Sequence, residues 1–284
     1  MTILCINPQC PHPENSDDRD RCLGCGAKLY LGDRFRPIRP LGQGGFGRTF
    51  LAWDDGQIPP QRCVIKQLVP SAGSRDRAWK EADRLAHLGQ HPQIPALIAI
   101  LESPRDLCLV QTYIPGRNLE QALVAEGPFS ESQVRSLLLA LLPVLQFIHK
   151  QGIIHRDIKP ENILLAPNKL PVLVDFGAAR SLPSATELER TGTVIGSAGY
   201  AAPEQALGKA ISASDLYSLG MTCLHLLTGQ HPFDLYSVAE DRAVWQPFLP
   251  QAVSPTLARI LDRLTARSLR SRYANANSVL ADLA

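Results

Sequence analysis

The 284-residue sequence has almost no net charge, because 29 lysines and arginines against 27 aspartates and glutamates leave only +2. Such a balance does not indicate binding to nucleic acid or to an anionic membrane surface. The longest apolar run, residues 137–148, is interrupted by Pro143 and Gln146, whereas a membrane helix needs about 20 apolar residues. The N-terminus lacks the pattern of a signal peptide. We therefore expect a cytoplasmic protein with no membrane segment and no nucleic-acid partner.

The sequence also lacks a disulfide framework. Its seven cysteines are an odd count, and Cys63, Cys108 and Cys223 lie far apart. Secreted disulfide scaffolds instead carry even sets of cysteines in short chains. These three cysteines are therefore interpreted as structural. The other four fall within the first 25 residues and need a separate explanation.

The chain changes character along its length. Residues 1–30 are rich in Cys, Pro, Asn and Asp and show almost no periodicity, so they need a cross-link or a metal to fold. Residues 31–112 contain five short extended runs and one helix, predicted at 75–88. After residue 116 the chain is mostly helical. This order predicts an α+β fold with a small β-rich lobe at 31–112 and a larger helical lobe at 116–284, and a ligand site in the cleft between them.

The predicted elements have short and definite limits. The extended runs cover residues 35–42, 47–54, 61–68, 96–103 and 106–113. The helices predicted in the second lobe cover residues 131–151, 214–228, 255–264 and 276–284. Ser130 and Gln133 have the spacing of a capping box at the start of the longest helix.

A glycine-rich segment, Gly42-Gln43-Gly44-Gly45-Phe46-Gly47, lies between the first two extended runs. Glycines at this spacing let backbone N–H groups approach a phosphate, although glycine-rich hairpins are common. The next motif along the chain is Lys66, which lies on a strand, and this position argues against a dinucleotide-binding fold. A lysine at the end of an apolar strand indicates an anion partner if the lysine is buried. Glu81, on the predicted helix, can pair with it; alternatively, Lys66 lies in solvent.

Three polar residues follow the longest predicted helix within six positions. Asp157 can accept a proton from a hydroxyl nucleophile, Lys159 can neutralise a phosphoryl group, and Asn162 can bind a metal. Thirteen residues later, Asp175 follows a short apolar run and offers a carboxylate suited to Mg²⁺. The pattern favours phosphoryl transfer.

These motifs, together with Ala202-Pro203-Glu204, have the order and spacing found in eukaryotic-like (Hanks-type) serine/threonine protein kinases, which residues 31–284 resemble. The resemblance implies a bilobal protein kinase fold that uses ATP and Mg²⁺ (or Mn²⁺) and acts on Ser/Thr hydroxyls of protein substrates. It implies ATP binding by Gly42, Gly44, Gly47, Thr49, Lys66, Thr112 and Tyr113. It implies catalytic roles for Lys66, Glu81, Asp157 as the base and Lys159, and Mg²⁺ binding by Asn162 and Asp175.

The resemblance also implies structural roles. Ser197 stands where a residue of the activation segment bonds the catalytic loop, and Glu204 is expected to pair with Arg272. Asp215 matches a buried aspartate that supports the backbone of that loop; the alternative is an ordinary acid at a helix N-terminus.

Some positions depart from the family pattern without touching a phosphate or metal ligand. Thr49 and Val64 replace a valine and an alanine near the adenine, Thr112 replaces the acid of the hinge, and Gln111 is the expected gatekeeper. A catalytically silent scaffold is the alternative function, and the retained motif residues argue against it. A small-molecule phosphotransferase is disfavoured by the complete activation segment. Lys159 is typical of Ser/Thr kinases.

The activation segment contains candidate phosphorylation sites at Thr191 and Thr193. The resemblance links Arg156, just before the catalytic aspartate, to activation by phosphorylation of this segment. A phosphate there adds nearly two negative charges, which Arg156, Arg180 and Arg77 could bind. The alternative is a polar loop without modification.

The four N-terminal cysteines have the spacing C-x4-C-x11-C-x2-C and include a Cys-x-x-Cys-Gly knuckle. Four thiolates at Cys5, Cys10, Cys22 and Cys25 suit a tetrahedral, ribbon-like Zn²⁺ site that would supply the missing folding energy. The open alternatives are His12 in place of Cys10, redox-active thiols and a disordered leader. With the kinase motifs, this segment resembles a cyanobacterial subgroup of such kinases, and it is expected to regulate the kinase or to dock a partner.

Overall fold

The computed structural model describes residues 2–44, 47–68, 74–102, 107–181 and 196–284. The chain divides into two compact units, the first formed by Met1–Gln90 with Pro95–Ile114 and the second by His91–Ile94 with Pro115–Ala284. Thr191 and Thr193 lie outside the described residues, as do the side chains of Arg77 and Arg180.

The cysteine segment in the first unit is ordered around a short hairpin. Strand β1 (Thr2–Leu4) pairs antiparallel with β2 (Glu14–Ser16). A disordered leader is therefore the wrong interpretation of this segment. The sequence did not predict these strands because three residues are too few to show an alternation.

A five-stranded antiparallel sheet forms the body of the first unit, in the order β3-β4-β5-β7-β6. Its strands are β3 (Phe35–Gly44), β4 (Gly47–Asp54), β5 (Gln61–Leu68), β6 (Leu97–Glu102) and β7 (Leu107–Thr112), and its helix is α1 (Ser74–Leu88). All five predicted extended runs and the predicted helix are confirmed to within two residues at each end.

Both faces of this sheet are covered, because successive residues of a strand point to opposite faces. On one face, Leu68, Leu107 and Leu109 pack with Ala82 of α1. The opposite face is an apolar cluster that contains Phe35, Phe50, Ala52, Cys63, Ile65, Cys108 and Val110. Leu4, Ile6 and Leu31, from the cysteine segment and the residues next to it, pack against this cluster. The cysteine segment is therefore a layer on the sheet; whether residues 1–30 are a domain of their own stays a prediction.

The second unit is mainly helical. Its helices are α2 (Leu119–Glu126), α3 (Glu131–Lys150), α4 (Pro203–Ala206), α5 (Ser212–Thr228), α6 (Pro232–Leu235), α7 (Pro255–Leu264) and α8 (Ala276–Leu283). Its short strands are β8 (Arg117–Asn118), β9 (Ile153–Ile154), β10 (Ile163–Leu165), β11 (Pro171–Leu173), β12 (Arg180–Ser181), β13 (Tyr236–Ser237) and β14 (Arg242–Ala243). The four predicted helices are confirmed to within two residues. Helix α2 was not predicted, although Asn118 and Gln121 form a capping box at its start.

Among the described residues, helix α3 is the one helix whose length and apolar composition would allow it to cross a membrane. Its apolar residues, including Val134, Leu138, Leu142 and Leu145, are buried in the second unit. The helix packs against α5 and α8. Packing inside the protein accounts for its composition. The predicted capping box is present, with Gln133 N–H donating to Ser130 Oγ.

Candidate active site

Lys66 and Glu81 form a buried ion pair in the first unit. Lys66 Nζ on β5 donates to Glu81 Oε1 on α1 at 2.8 Å, and the two side chains are 10% and 3% exposed. A buried charge is tolerated only when it is paired. The carboxylate therefore determines where the ammonium lies, and the alternative of a solvated lysine is wrong.

The glycine-rich segment joins β3 to β4 beside Lys66. Gly42 lies opposite Thr49 and Gly44 opposite Gly47, while β5 places Lys66 opposite Thr49 on the other side of β4. Gly47 has a φ of 148°, and a Cβ there would lie 2.0 Å from the carbonyl oxygen of Gln67. Only glycine fits this position, so the close approach of β4 to β5 depends on it. The glycines and the lysine thus belong to one hydrogen-bonded ladder.

Thr112 and Tyr113, the predicted adenine contacts, lie at the end of β7. The Thr112 N–H donates to the Ala96 carbonyl at 2.9 Å, and Thr112 Oγ1 accepts the Ala96 N–H at 3.0 Å. The Tyr113 ring lies 6.0 Å from the Arg62 guanidinium. The Thr112 N–H is thus engaged within the first unit, and the role of Thr112 and Tyr113 as adenine contacts stays a prediction.

Asp157 is the centre of a hydrogen-bonded group in the second unit. Its Oδ1 accepts from the Ser197 hydroxyl at 2.7 Å and from the Ser197 N–H at 3.1 Å. Its Oδ2 accepts from Asn162 Nδ2 at 2.9 Å and lies 3.4 Å from Lys159 Nζ. Lys159 Nζ in turn donates to Ser197 Oγ at 2.6 Å. The carboxylate is held from both sides with an ammonium beside it, which is a suitable environment for a base in phosphoryl transfer.

Asn162 and Asp175 lie at the same end of a strand pair. Strand β10 pairs with β11 so that Ile163 is opposite Leu173; Asn162 therefore precedes one strand where Asp175 follows the other. The Val174 N–H donates to the Asn162 carbonyl at 2.9 Å. Asn162 Nδ2 donates a hydrogen bond to Asp157, so the side-chain groups left as metal ligands at this edge are the Asn162 amide oxygen and the Asp175 carboxylate. Oxygen donors are what Mg²⁺ and Mn²⁺ prefer, so the residues present fit such an ion.

His155 connects the segment that contains Asp157 with the segment that contains Asp175. Its Nδ1 accepts the Asp157 N–H at 3.3 Å, which assigns the proton to Nε2, and Nε2 donates to the Val174 carbonyl at 3.1 Å. The ring meets Phe176 edge-on, with centroids 4.7 Å apart. His155 had no predicted role, although it is fully buried beside the candidate base.

Asp215 is fully buried at the start of α5 and supports the backbone before Asp157. Its Oδ2 accepts the His155 N–H at 2.9 Å and a proton of His149 Nε2 at 2.8 Å, and its Oδ1 accepts the Arg156 N–H at 2.9 Å. Burial alone would raise the pKa of Asp215, but the hydrogen bond and charge of His149 hold that pKa below its usual value. Arg156 has a φ of 71°, an unfavourable conformation for arginine. Asp215 therefore holds a strained turn and is not only an acid at a helix N-terminus.

Glu204 and Arg272 form a second buried ion pair. Arg272 Nη1 and Nη2 donate to the two carboxylate oxygens at 2.6 and 3.2 Å. Its Nε donates to the Ala266 carbonyl at 2.7 Å. Gln205, which follows Glu204 and was not predicted to have a role, donates from Nε2 to the Arg156 carbonyl at 2.6 Å. Gln205 thus holds the same strained turn that Asp215 supports.

The four N-terminal cysteines meet in one cluster. All four sulfurs lie within 4.8 Å of one another; Cys5 and Cys25 are 3.6 Å apart, and Cys10 and Cys22 are 3.4 Å apart. A tetrahedral Zn²⁺ with bonds of about 2.3 Å separates its sulfurs by about 3.8 Å, whereas a disulfide bond is about 2.05 Å. These distances fit a tetrahedral metal site. His12 contributes a carbonyl that accepts from Cys22 Sγ and is not among the clustered ligands, so its substitution for Cys10 is wrong.

The surroundings of the four sulfurs act on their ionisation in different directions. Burial raises the pKa of Cys5 and Cys10, whereas the backbone N–H of Ala27 lowers the pKa of Cys25. Burial opposes ionisation of Cys22, but the Asn15 side chain, 3.4 Å from its sulfur, and other neighbours lower the pKa of Cys22 to about 6. Amide donors favour the thiolate form that binds zinc. This donor set fits Zn²⁺, and the role of Asn15 was not predicted.

Comparison with known proteins agrees with this geometry. The protein kinase domain family matches residues 35–281. Serine/threonine-protein kinase B of Synechocystis sp. is 38% identical over 98% of this chain and 51% of its own length. Serine/threonine-protein kinase C of Synechocystis sp. is 43% identical over 88% of this chain and 49% of its own length. Serine/threonine-protein kinase PknA of Nostoc sp. is 42% identical over 88% of this chain and 47% of its own length.

The chain spans about half the length of these curated relatives. The match to kinase B covers 98% of the chain and so includes the cysteine segment. With the family match over residues 35–281, these identities are sufficient to assign the family. The chain belongs to the protein kinase family, among the Hanks-type serine/threonine kinases of bacteria.

Proposed function

We propose that this chain transfers the γ-phosphoryl group of ATP to Ser and Thr hydroxyls of proteins. The observation that carries the proposal is the Asp157 carboxylate, held by Ser197 and Asn162 with the Lys159 ammonium 3.4 Å away. In the reaction, the acceptor oxygen bonds to the γ-phosphorus while the bond to the β-phosphate oxygen breaks and ADP leaves. Asp157 accepts the hydroxyl proton, and Lys159 stabilises the negative charge on the transferred group.

The first unit supplies the nucleotide contacts in this proposal. Lys66, oriented by Glu81, binds the α- and β-phosphates, and the backbone of Gly42, Gly44 and Gly47 covers them. Thr49, Thr112 and Tyr113 line the adenine, with the Thr112 carbonyl rather than its N–H as a contact. The buried 2.8 Å ion pair supports the role of Lys66, because it presents an ammonium in a fixed position.

Asn162 and Asp175 hold the divalent cation, Mg²⁺ or Mn²⁺, in this proposal. When bound, the cation neutralises charge on the ATP phosphates. Asp175 has a φ of 65°, and its Oδ1 accepts the Gly177 N–H at 3.3 Å, which orients the carboxylate.

The proposed activity is tested by transfer of radiolabelled phosphate from ATP to the chain itself and to a generic basic protein. Asp157→Asn should reduce transfer by about a thousandfold, because the base is lost. Asp234→Asn, the same change at an exposed aspartate of the second unit, is the matched control and should retain wild-type transfer. Equal transfer by the two variants would overturn the assignment, and no transfer by the wild type would favour a catalytically silent scaffold.

Autophosphorylation of the activation segment at Thr191 or Thr193 is part of the proposal. It is supported by the buried position of Arg156 next to the candidate base. Phosphopeptide mapping after incubation with ATP should find phosphate on one of the two threonines in the wild type and none in Asp157→Asn. An active enzyme with both threonines unmodified would contradict this part.

Cys5, Cys10, Cys22 and Cys25 bind one structural Zn²⁺ in this proposal, supported by the sulfur spacing and the amide donors. Metal analysis of the purified chain should find one zinc per chain and almost none in Cys22→Ser. Cys223→Ser removes a buried thiol of the second unit and should leave the zinc content unchanged. A ratio near zero in the wild type would favour redox-active thiols instead. A cytoplasmic location, where ATP is abundant, and a partner that binds the cysteine segment complete the proposal.

A further inference from the structure

The cysteine module, residues 2–30, covers the sheet face opposite α1. Leu4 and Ile6 of the module pack against the apolar cluster that contains Phe50 and Ile65. The module ligands Cys5 and Cys10 line a groove of about 620 Å³ whose other wall includes Gly42 and Gln43 of the glycine-rich hairpin. The candidate metal site is therefore a neighbour of the hairpin, but an open groove separates their surfaces at this point.

Arg48 connects the two walls of this groove. Its Nη2 donates to the Ile6 carbonyl of the module and, at 2.6 Å, to Gln67 Oε1 on β5. The guanidinium carbon lies 5.3 Å from the centre of the Phe50 ring. Gln67 is the cross-strand partner of Arg48 and is only 4% exposed. One guanidinium thus holds the module and two strands of the sheet together.

Arg48 and its two hydrogen-bond partners are each next in sequence to a residue assigned to zinc or to ATP. Ile6 directly follows the zinc ligand Cys5. Arg48 itself directly follows Gly47, and Gln67 directly follows Lys66. Because strand residues alternate between faces, Arg48 and Gln67 pair on the module face while Thr49 and Lys66 pair on the opposite face. A displacement of Arg48 is therefore transmitted through the backbone to the residues proposed to bind ATP.

We infer that Arg48 is a positioning residue that couples metal binding by the cysteine module to nucleotide binding by the glycine-rich hairpin. The inference rests on the proposed function, in which this hairpin and Lys66 bind ATP. The metal holds the loop that contains Cys5, and this loop presents the Ile6 carbonyl to Arg48. Without the metal the carbonyl is no longer held, Arg48 loses an acceptor, and the hairpin gains freedom that ATP binding must remove.

Coupling between two binding sites is reciprocal. If zinc tightens nucleotide binding, bound nucleotide must tighten zinc binding by the same factor. The side chain of Arg48 is the proposed connection, so its removal should abolish both effects while each ligand still binds by itself. This reciprocity separates coupling from a general loss of stability.

The first experiment measures the affinity of the full chain for a fluorescent ATP analogue with Mg²⁺ in excess, before and after removal of zinc by a zinc-selective chelator. Loss of zinc should weaken binding about fivefold or more in the wild type. Arg48→Met should weaken binding to a similar extent with zinc still at one per chain, and Arg48→Lys should restore part of it. Arg39→Met, at an exposed arginine of β3, is the matched control and should remain within about twofold of the wild type.

Steady-state kinetics distinguish positioning from damage. Arg48→Met should raise the KM for ATP while kcat stays close to the wild-type value, because the groups around Asp157 belong to the second unit. A parallel fall in kcat and stability would show a structural role only and overturn the inference.

The second experiment measures the affinity for zinc by equilibrium competition with a chromogenic chelator. Saturating Mg²⁺-nucleotide should tighten zinc binding about fivefold in the wild type and Arg39→Met, and should have no effect in Arg48→Met. Equal nucleotide affinity with and without zinc, or tightening that persists in Arg48→Met, would overturn the inference and leave the proposed kinase activity intact. A wild-type chain that binds no nucleotide would overturn the proposed function as well.

Discussion

Asp215→Asn tests how the second unit holds the segment that contains the candidate base. The carboxylate accepts three hydrogen bonds of 2.8–2.9 Å, from His149, His155 and Arg156, and no part of it is exposed. An amide of the same shape must direct its NH₂ group at one of these donors. The better orientation keeps the amide oxygen where it accepts from His149 and His155. The new NH₂ group then faces the Arg156 N–H, and both of these donors are left buried without an acceptor.

The magnitude follows from the number of unsatisfied groups. Each buried polar group without a partner costs about 1–3 kcal/mol, so two of them lower the free energy of unfolding by about 4 kcal/mol. A domain with about 5–15 kcal/mol of stability remains folded after this loss. Arg156, with its φ of 71°, then loses one of the bonds that hold its strained backbone. Displacement of the adjoining Asp157 should reduce kcat about a hundredfold.

The assay combines urea unfolding with phosphate transfer for Asp215→Asn and the exposed control Asp234→Asn. The pKa of Asp215 is lowered in the folded state from an ordinary value of 3.8, so its carboxylate stabilises the fold above that value. This contribution is lost as the pH falls through the lower, folded-state pKa. The difference in stability between wild type and variant should therefore shrink in acid. A variant within about 0.5 kcal/mol of the wild type at pH 7, with full activity, would refute the reasoning.

Three further substitutions test other parts of the site. Ser197→Ala should lower kcat about tenfold, because Asp157 loses the hydroxyl that orients it; Ser197→Thr should retain activity, and an unaltered kcat in the alanine variant would contradict the role of the hydroxyl. Arg272→Lys should lower the urea midpoint, with a loss of about 3 kcal/mol, because one ammonium cannot replace the paired bonds to Glu204 and the bonds to backbone carbonyls. Gly47→Ala should destabilise the chain by about 2 kcal/mol and weaken binding of an ATP analogue, because its Cβ would lie 2.0 Å from a carbonyl oxygen of the neighbouring strand. Unchanged thermal melting of that variant would show that the close approach relaxes freely.

Elements with a local signal were predictable. The strands of the sheet include short apolar runs such as β6 and β7, α7 begins and ends at the predicted residues, and Ser130 with Gln133 identified the start of α3. The candidate site was predictable for a similar reason: phosphoryl transfer needs particular residue types, and three of them occur within the six positions from Asp157 to Asn162. The short strands of the cysteine segment were not predictable because they have too few residues for a periodic pattern.

Residues that act across long separations were missed. His149 bonds Asp215 from 66 positions away, and Gln205 bonds the Arg156 carbonyl from 49 positions away. A histidine in the last turn of an apolar helix and a glutamine in the four-residue helix α4 have no local feature that indicates such partners. The resemblance implied the burial of Asp215, but the burial of Gln205 could be known only from the packed structure.

The sequence by itself determined the family, the residue types of the phosphoryl-transfer site and the four thiols of the cysteine module, because this chemistry depends on side chains in short and recognisable segments. The tertiary structure decided that the module covers one face of the sheet and that Arg48, 42 residues from Ile6, joins the module to the glycine-rich hairpin. The physical reason is that an arginine beside a glycine looks like any surface residue until the fold brings a backbone carbonyl and a buried amide to it. Such contacts are produced by the packing of whole layers, and no short stretch of sequence encodes them.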